Sequence, residues 1–165
     1  MSVNTIDIKI KRLTETAIIP TYGSNFAAGA DLYADLQSPV YIGSGDSVMI
    51  STGIAMAIPE GYVGLIYARS GLSCKHGLAP ANKVGVDSDY RGDIKVKLHN
   101  HEAYDTEKCV NEDYQEDYKR RHTIHPGDRI AQIVITPYYQ AVFEETDNLD
   151  STERGSGGFG STGTN

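Results

Sequence analysis

The sequence has no tryptophan, only two cysteines and no long hydrophobic run. Cys74 and Cys109 are too few for a disulfide framework and lack C-x-x-C spacing, so we expect free thiols in a reducing compartment. No apolar stretch approaches the ~20 residues that a transmembrane helix needs, so we expect no membrane span. The N-terminus has no basic-then-apolar signal, which predicts a cytoplasmic protein that is not secreted.

Basic residues are also scarce. Lys and Arg number 15 against 22 Asp and Glu, which gives a net charge of −7. Because nucleic-acid and anionic-membrane binding both need clustered cations, neither partner is expected. The sequence also contains no Gly-x-Ser-x-Gly nucleophile elbow and no Walker motif, so it lacks two common catalytic signatures.

Glycine (17) and tyrosine (11) are abundant, as expected for short strands joined by glycine-rich turns. Alternating or short apolar segments predict strands at 6–10, 31–36, 40–42, 48–58, 62–68, 84–87, 94–98, 130–135 and 141–145. One brief helix is predicted near 72–76, with Ser70 as its cap. This pattern predicts an all-β sandwich or barrel. The polar segment 99–125 interrupts the pattern of short strands. We expect it to be a solvated insert or to form a small structure of its own.

The stretch 84–93 (VGVDSDYRGD) is predicted to be a hairpin with carboxylates at its tip. Asp87 on such a turn is a candidate general base, and a solvated acidic turn is the alternative. Arg69-Ser70-Gly71 follows a strand where free N–H groups attract anions, and an ordinary helix cap is the alternative.

Two further polar positions lie among small or apolar residues. Asp31 follows Ala28-Gly29-Ala30, which permits close approach, although it could be an ordinary turn aspartate. Gln132 lies inside an apolar strand and needs hydrogen-bond partners. These could be a ligand or the backbone of a neighbouring loop.

The tail 155–160 (GSGGFG) matches G-x-G-x-x-G by letter but lacks the flanking strand and helix of a dinucleotide site. Composition alone favours a flexible tail. Arg154 and Phe159 instead suggest an arm that folds over a nucleotide, with arginine on phosphate and phenylalanine on the base.

Four histidines flank the insert and a cysteine lies within it, a combination that zinc sites use. The candidate ligands are His99, His101, His122, His125 and Cys109. Their spacing matches no strong zinc pattern, so the sequence does not predict such a site.

Five motifs occur in a fixed order: AGADLYA at 28–34, RSGLS at 69–73, DSDYRG at 87–92, GDRIAQ at 127–132 and RGSGGFGSTG at 154–163. This set resembles the motifs of the trimeric deoxyuridine triphosphatases (dUTPases). The resemblance implies an all-β jelly roll, or distorted β-barrel, that forms a homotrimer with exchange of its C-terminal arm. It divides the chain into a β domain at 1–153, with an insert at about 101–122, and a glycine-rich arm at 154–165.

The resemblance also implies that dUTP is the substrate and is hydrolysed to dUMP and pyrophosphate with Mg²⁺. This reaction limits uracil incorporation into DNA and supplies dUMP for thymidylate synthesis. Asp87 would be the general base for water attacking the α-phosphorus. Tyr90 would pack under the deoxyribose and exclude a 2′-hydroxyl. Asp31 would support the water shell of the metal, or an arginine, without being a direct ligand.

The remaining substrate contacts implied by the resemblance fall into three groups. Uracil would be recognised by the backbone of Asn82, Gly85 and Val86. The phosphates would be bound by Arg69, Ser70, Gly71 and Gln132. The arm would close with Arg154, Gly160 and Ser161 on the γ end and Phe159 on uracil. Active sites would lie at subunit interfaces of a cytoplasmic enzyme of bacterial or phage type.

The chain departs from the family pattern at three places. Ala68 precedes Arg69 where proline is common, and we expect this to have little effect. Only Val86 separates Gly85 from Asp87, where two apolar residues are usual, and one missing strand residue reverses the faces of those before it. The insert at 104–121 replaces a short turn, and we expect it to be the binding site of any protein partner. Two alternatives to an active dUTPase follow: a related deaminase acting on dCTP, or a catalytically weak dUTP-binding regulatory protein that contacts a partner through the insert.

Overall fold

The computed structural model describes residues 4–81, 84–102 and 122–157. These residues form twelve β-strands and one α-helix. The strands are β1 Lys9–Arg12, β2 Thr21–Tyr22, β3 Ala30–Tyr33, β4 Val40–Ile42, β5 Ser47–Ser51, β6 Ile54–Ala57, β7 Tyr62–Tyr67, β8 Leu78–Pro80, β9 Gly85–Val86, β10 Lys95–Asn100, β11 His122–Ile124 and β12 Arg129–Pro137; the helix is α1 Ser70–His76.

The largest sheet has five strands in the order β2-β3-β12-β7-β9, and a second sheet has the order β5-β10-β8. Two further pairs, β1 with β6 and β4 with β11, complete the ladders. All of these pairings are antiparallel. The prediction of an all-β fold is therefore confirmed. No helix in the described ranges is long and apolar enough to cross a membrane.

One core of aliphatic side chains holds these ladders together. Its largest fully buried apolar members are Leu32, Ile42, Ile50, Ile54, Leu78, Ile94, Leu98, Ile130 and Val96. Each such side chain contributes about 1.5–3 kcal/mol when it leaves water. The core therefore fixes the strand ends from which the site residues project.

The prediction of one long strand over 48–58 is wrong. Gly53 has a φ of +63°, a left-handed conformation that favours glycine. A Cβ atom at Gly53 would collide with Ala17 and the carboxylate of Asp35. The chain therefore turns at Gly53, so that β5 pairs with β10 while β6 pairs with β1.

The predicted hairpin around 84–93 is also wrong, although both of its strands exist. β9 pairs with β7 in the five-stranded sheet, whereas β10 lies between β5 and β8 in the other sheet. The turn that carries Asp87 therefore connects two sheets. Apolar alternation identified both strands but carries no information about which strand each one pairs with.

Smaller differences occur elsewhere. The first strand is β1, later than the predicted 6–10, and the predicted strand at 141–145 is absent from the described residues. The side chains of Val142 and Phe143 in that segment are 97% and 94% exposed. The short strands β2, β8 and β11 were not predicted. The predicted core strand at 130–135 is confirmed within the longer β12.

The helix begins earlier than expected. Its N-cap is Arg69, and Ser70 is its first helical residue, with no side-chain cap hydrogen bond. The predicted cap role of Ser70 is therefore wrong. The helix ends at Gly77, whose φ of +58° is typical of a C-terminal glycine.

Candidate active site

A pocket of about 280 Å³ opens where β9 lies beside β7. Its apolar lining consists of Met49, Ile66, Val84, Val86 and Ile94, and its other lining residues are Gly85, Asp87, Tyr90, Asp93 and Lys95. An apolar pocket with a few convergent polar groups is the usual form of a small-molecule site. The pocket therefore contains the predicted base Asp87 and the predicted sugar contact Tyr90.

The turn that carries Asp87 is closed by local hydrogen bonds. The backbone N–H of Tyr90 donates to the carbonyl of Asp87 at 3.2 Å. The guanidinium of Arg91 donates to the carbonyls of Ser88 (2.6 Å) and Tyr90 (2.9 Å). The Asp87 side chain is exposed and accepts no hydrogen bond from another described group. The turn is thus rigid, and its carboxylate is available to a water molecule.

Tyr90 folds back onto its own loop. Its hydroxyl donates to the carbonyl of Asp93 at 3.0 Å, and a Cβ at Gly92 would collide with the phenol ring. Glycine at 92 is therefore required for the ring to take this position. The ring stays 45% exposed and forms one wall of the pocket.

A second cluster of predicted site residues surrounds Asp31, whose side chain is only 12% exposed. Nε of Arg69 donates to Asp31 Oδ1 at 2.7 Å, and Nη1 of Arg129 lies 3.4 Å from Oδ2. Arg69 also donates to the carbonyl of Arg129 at 3.2 Å. Two guanidinium groups share one carboxylate, so the cluster carries a net positive charge suited to phosphate.

Gln132 joins this cluster through the backbone. Its Nε2 donates to the carbonyl of Ala68 at 2.8 Å, next to Arg69. A Cβ at Gly29 would collide with the Gln132 side chain, so glycine here lets that side chain lie close to the backbone before Asp31. The structure thus supports the alternative that Gln132 bonds a neighbouring loop, and one of its N–H donors remains for a ligand.

Ser70 and Gly71 are both exposed beside Arg69. The space where a Cβ of Gly71 would lie is open. A ligand can therefore reach the backbone here without displacing a side chain.

Asp87 and Arg69 lie toward opposite ends of β7. Val86 pairs with Gly64, so Asp87 follows toward the Tyr62 end, whereas Arg69 follows the other end of the strand. Five residues of extended chain from Gly64 to Arg69 span about 16 Å. Within one chain, the predicted base and the predicted phosphate donors are therefore not brought together.

The arm is described only as far as residue 157. Nε of Arg154 donates to the carbonyl of Gly157 at 2.9 Å, within a local turn. Asn82, Phe159, Gly160 and Ser161 lie outside the described residues, as does Cys109. Their predicted roles stay predictions.

Within the described part of the chain, neither candidate metal has a set of protein ligands. Among the described residues, no group of three or more His, Cys, Asp or Glu side chains could bind a metal ion, so no zinc site forms from the four histidines. Both oxygens of Asp31 face arginines, so the Asp31 carboxylate has no free oxygen for magnesium. These residues do not fit a resident magnesium site, and Asp31 matches the arginine-supporting alternative instead.

Several residues at the two clusters were not predicted as site residues, and Arg129, Met49 and Lys95 are three of them. Arg129 shares Asp31 with Arg69, and a bulge between Arg129 and Ala131 sets its direction. Met49 and Lys95 line the pocket from β5 and β10. The motif GDRIAQ contained Arg129, but Met49 and Lys95 carry no local sequence signal because strand pairing brings them to the pocket.

A family model described as dUTPase matches residues 15–109 and 117–163. The chain belongs to the dUTPase family. The deoxyuridine 5′-triphosphate nucleotidohydrolase of Syntrophotalea carbinolica is 43% identical over 162 residues, covering 98% of this chain and 99% of that protein. The protein of the same name from Nautilia profundicola is 45% identical over 159 residues, covering 94% and 98%.

Solved structures agree with these sequence relatives. A mutant of the Staphylococcus bacteriophage 80alpha dUTPase with dUpNHpp is 28% identical, with a TM-score of 0.77, and covers 97% of this chain and 100% of that one. Another mutant of the phage dUTPase superimposes with a TM-score of 0.79 at 28% identity, covering 96% and 99%. The predicted jelly-roll fold is confirmed.

Proposed function

We propose that this protein hydrolyses dUTP to dUMP and pyrophosphate. The observation that carries the proposal is the pocket lined by β9 and the turn after it, which contains Asp87 and Tyr90. Membership of the dUTPase family and the full-length relatives named for this reaction support it. In a cell, the reaction removes dUTP before DNA synthesis can use it and supplies dUMP for thymidylate synthesis.

Asp87 is the general base in this proposal. Its exposed carboxylate orients a water molecule and accepts a proton as the water oxygen attacks the α-phosphorus. The bond from the α-phosphorus to the bridging oxygen then breaks, and pyrophosphate leaves with that oxygen. A positioned general base contributes about 10²–10⁴-fold to the rate.

The pocket selects the nucleoside. Backbone groups of Gly85 and Val86, together with Asn82, recognise uracil, and Tyr90 packs against the deoxyribose. Val86 is buried in the pocket wall, so β9 keeps a defined face even with one residue fewer before Asp87. The shorter connection is thus compatible with a formed pocket.

The phosphates bind at the second cluster. Arg69, Ser70 and Gly71 donate to them, with Gln132 as a further donor and Asp31 orienting Arg69. Mg²⁺ prefers to keep several waters and to bind substrate phosphates. Because the described residues supply no metal cage, magnesium arrives with the triphosphate rather than as a resident ion.

The active enzyme is a homotrimer in this proposal, with each site at a subunit interface. The separation of Asp87 from Arg69 along β7 supports it, since a neighbouring chain can bring the second residue to the same substrate. The C-terminal segment supports it too, because several of its large side chains lack cover from their own chain. These are Tyr139, Val142, Phe143 and Leu149, all at least 88% exposed. Residues 154–165 then act as the arm that closes over a neighbour's site, with Arg154 and Ser161 at the phosphates and Phe159 on uracil.

The two alternatives are not favoured. The full-length relatives are nucleotidohydrolases rather than deaminases. A purely regulatory dUTP-binding protein would not need the available carboxylate of Asp87. A protein partner at the insert and a cytoplasmic location stay predictions.

The test is pyrophosphate release from dUTP, dCTP, dTTP and UTP, each with Mg²⁺ and with chelator. Release from dUTP alone, abolished by chelator, is the expected result. Equal release from dCTP or dTTP would contradict the proposed uracil pocket. Binding of dUTP without any release would favour the regulatory alternative.

A further inference from the structure

Helix α1 has no buried side chain. A helix of seven residues is not stable in water by itself. Leu72 packs partly buried against the core, and the two ends of the helix are held by further contacts. Arg69, bonded to Asp31, holds the first end.

The second end is held by His101 and Glu102, which precede the segment 103–121. The carbonyl of Gly77 accepts the N–H of His101 at 2.9 Å. A Cβ at Gly77 would collide with the side chain and backbone of Glu102. Glu102 thus lies directly against the end of the helix.

His122, which follows the same segment, also contacts this end of the helix. The ring of His122 packs edge-on against His76 in the last turn of α1, with centroids 5.5 Å apart. Nε2 of His122 lies 3.4 Å from Oε2 of Glu102. That buried nitrogen has no hydrogen-bond partner among the described residues, so the Glu102 carboxylate is its nearest compensating group.

Both residues are fixed by neighbouring elements. The N–H of Glu102 donates to Oδ1 of Asn100 at 3.0 Å, and its carbonyl accepts a bond from the Ser44 hydroxyl. His122 pairs with Ile42 in the β4–β11 ladder. Glu102 and His122 therefore form a rigid support for the end of α1.

We propose that Glu102 and His122 are positioning residues for triphosphate binding. They fix α1 through His76 and Gly77, and the other end of α1 presents Ser70 and Gly71. A helix of this length is a rod of about 10 Å, so a shift at one end reaches the other. The inference rests on the proposed function, because the phosphate contacts of Ser70 and Gly71 belong to it.

The segment 103–121 joins the described chain at Glu102 and His122. Whatever displaces Glu102 or His122 weakens triphosphate binding. By linkage, bound triphosphate opposes that displacement to the same extent.

The test compares two ligands on the full-length protein, by calorimetry. dUpNHpp carries three phosphates, whereas dUMP carries only the first. In His122→Ala and in Glu102→Gln, affinity for dUpNHpp is expected to fall about fivefold, while affinity for dUMP changes less than about twofold. The KM for dUTP rises accordingly, with kcat nearly unchanged.

His125→Ala is the matched control, because His125 is an exposed histidine just past β11. It should change neither affinity. Equal weakening of both ligands, or no change in either, would overturn the proposal. Glu102→Gln keeps the size of the side chain, so its affinities for the two ligands test the proposal if His122→Ala does not fold. Failure of the proposed function is distinguishable, since it appears in the unmodified protein as absent hydrolysis of dUTP.

Discussion

Arg69 donates its Nε–H to Asp31 at 2.7 Å, and this bond joins the turn after β7 to a buried position on β3. Asp31→Asn keeps the size of the side chain but removes the charge that holds Arg69 and Arg129. We expect the free energy of unfolding to fall by about 2 kcal/mol, as for loss of a charged hydrogen bond. The KM for dUTP should rise with it.

Denaturant unfolding and steady-state kinetics measure these two effects. Asp7→Asn is a suitable control, because Asp7 is an exposed carboxylate near the start of the chain. An unchanged KM in Asp31→Asn would show that Arg69 does not need this partner to reach the phosphates.

Asp87→Asn should abolish turnover and spare binding. The amide is nearly isosteric but cannot accept the proton of the attacking water, so kcat should fall about 10²–10⁴-fold. Calorimetry with dUpNHpp should give an affinity close to that of the unmodified protein. Near-normal turnover would mean that another group is the base.

Two substitutions at Tyr90 separate its ring from its hydroxyl. Tyr90→Phe removes only the bond to Asp93, so preference for dUTP over UTP should persist. Tyr90→Ala removes the ring, and the preference should fall about tenfold or more. The ratio of kcat/KM for the two nucleotides is the measurement. If both variants keep full selectivity, the sugar is recognised elsewhere.

A chain that ends at Glu153 lacks the arm. Native mass spectrometry should still find three chains, because the exposed segment that precedes the arm is retained. Turnover should fall about 10²–10³-fold, since the arm donors to the phosphates are lost. Full activity of the truncated protein would rule out the proposed role of the arm.

Deletion of residues 104–121 should spare catalysis, because it leaves all five motifs and both Glu102 and His122 in place. A short Gly-Ser linker bridges the ends. We expect kcat and KM for dUTP within about twofold of the full chain. A complete loss of activity would mean that the insert contributes to the site itself.

Local sequence patterns were sufficient for much of the strand content. The apolar run 130–135 lies within β12 because its aliphatic residues fill the core wherever the strand pairs. The turn sequence Pro126-Gly127-Asp128 lies directly before that strand. The strand prediction at 141–145 was wrong because the apolar side chains of this segment are not buried by their own chain.

The sequence likewise indicated some features of the candidate site and not others. The order of the five motifs is enough to identify the family and to indicate Asp31, Arg69 and Asp87 as site residues. It does not reveal that Asp31 is engaged by two arginines, or that Met49 and Lys95 line the pocket. Those facts depend on contacts between residues far apart in the chain.

The class of fold, the family and the chemical identity of the candidate site residues follow from the sequence alone, because they depend on local alternation and ordered motifs. Strand pairing follows only from the three-dimensional structure. It assigned β9 to β7 rather than to β10, and it separated Asp87 from Arg69 along one strand. Pairing is decided by burial and register between distant segments, and no local pattern contains that information.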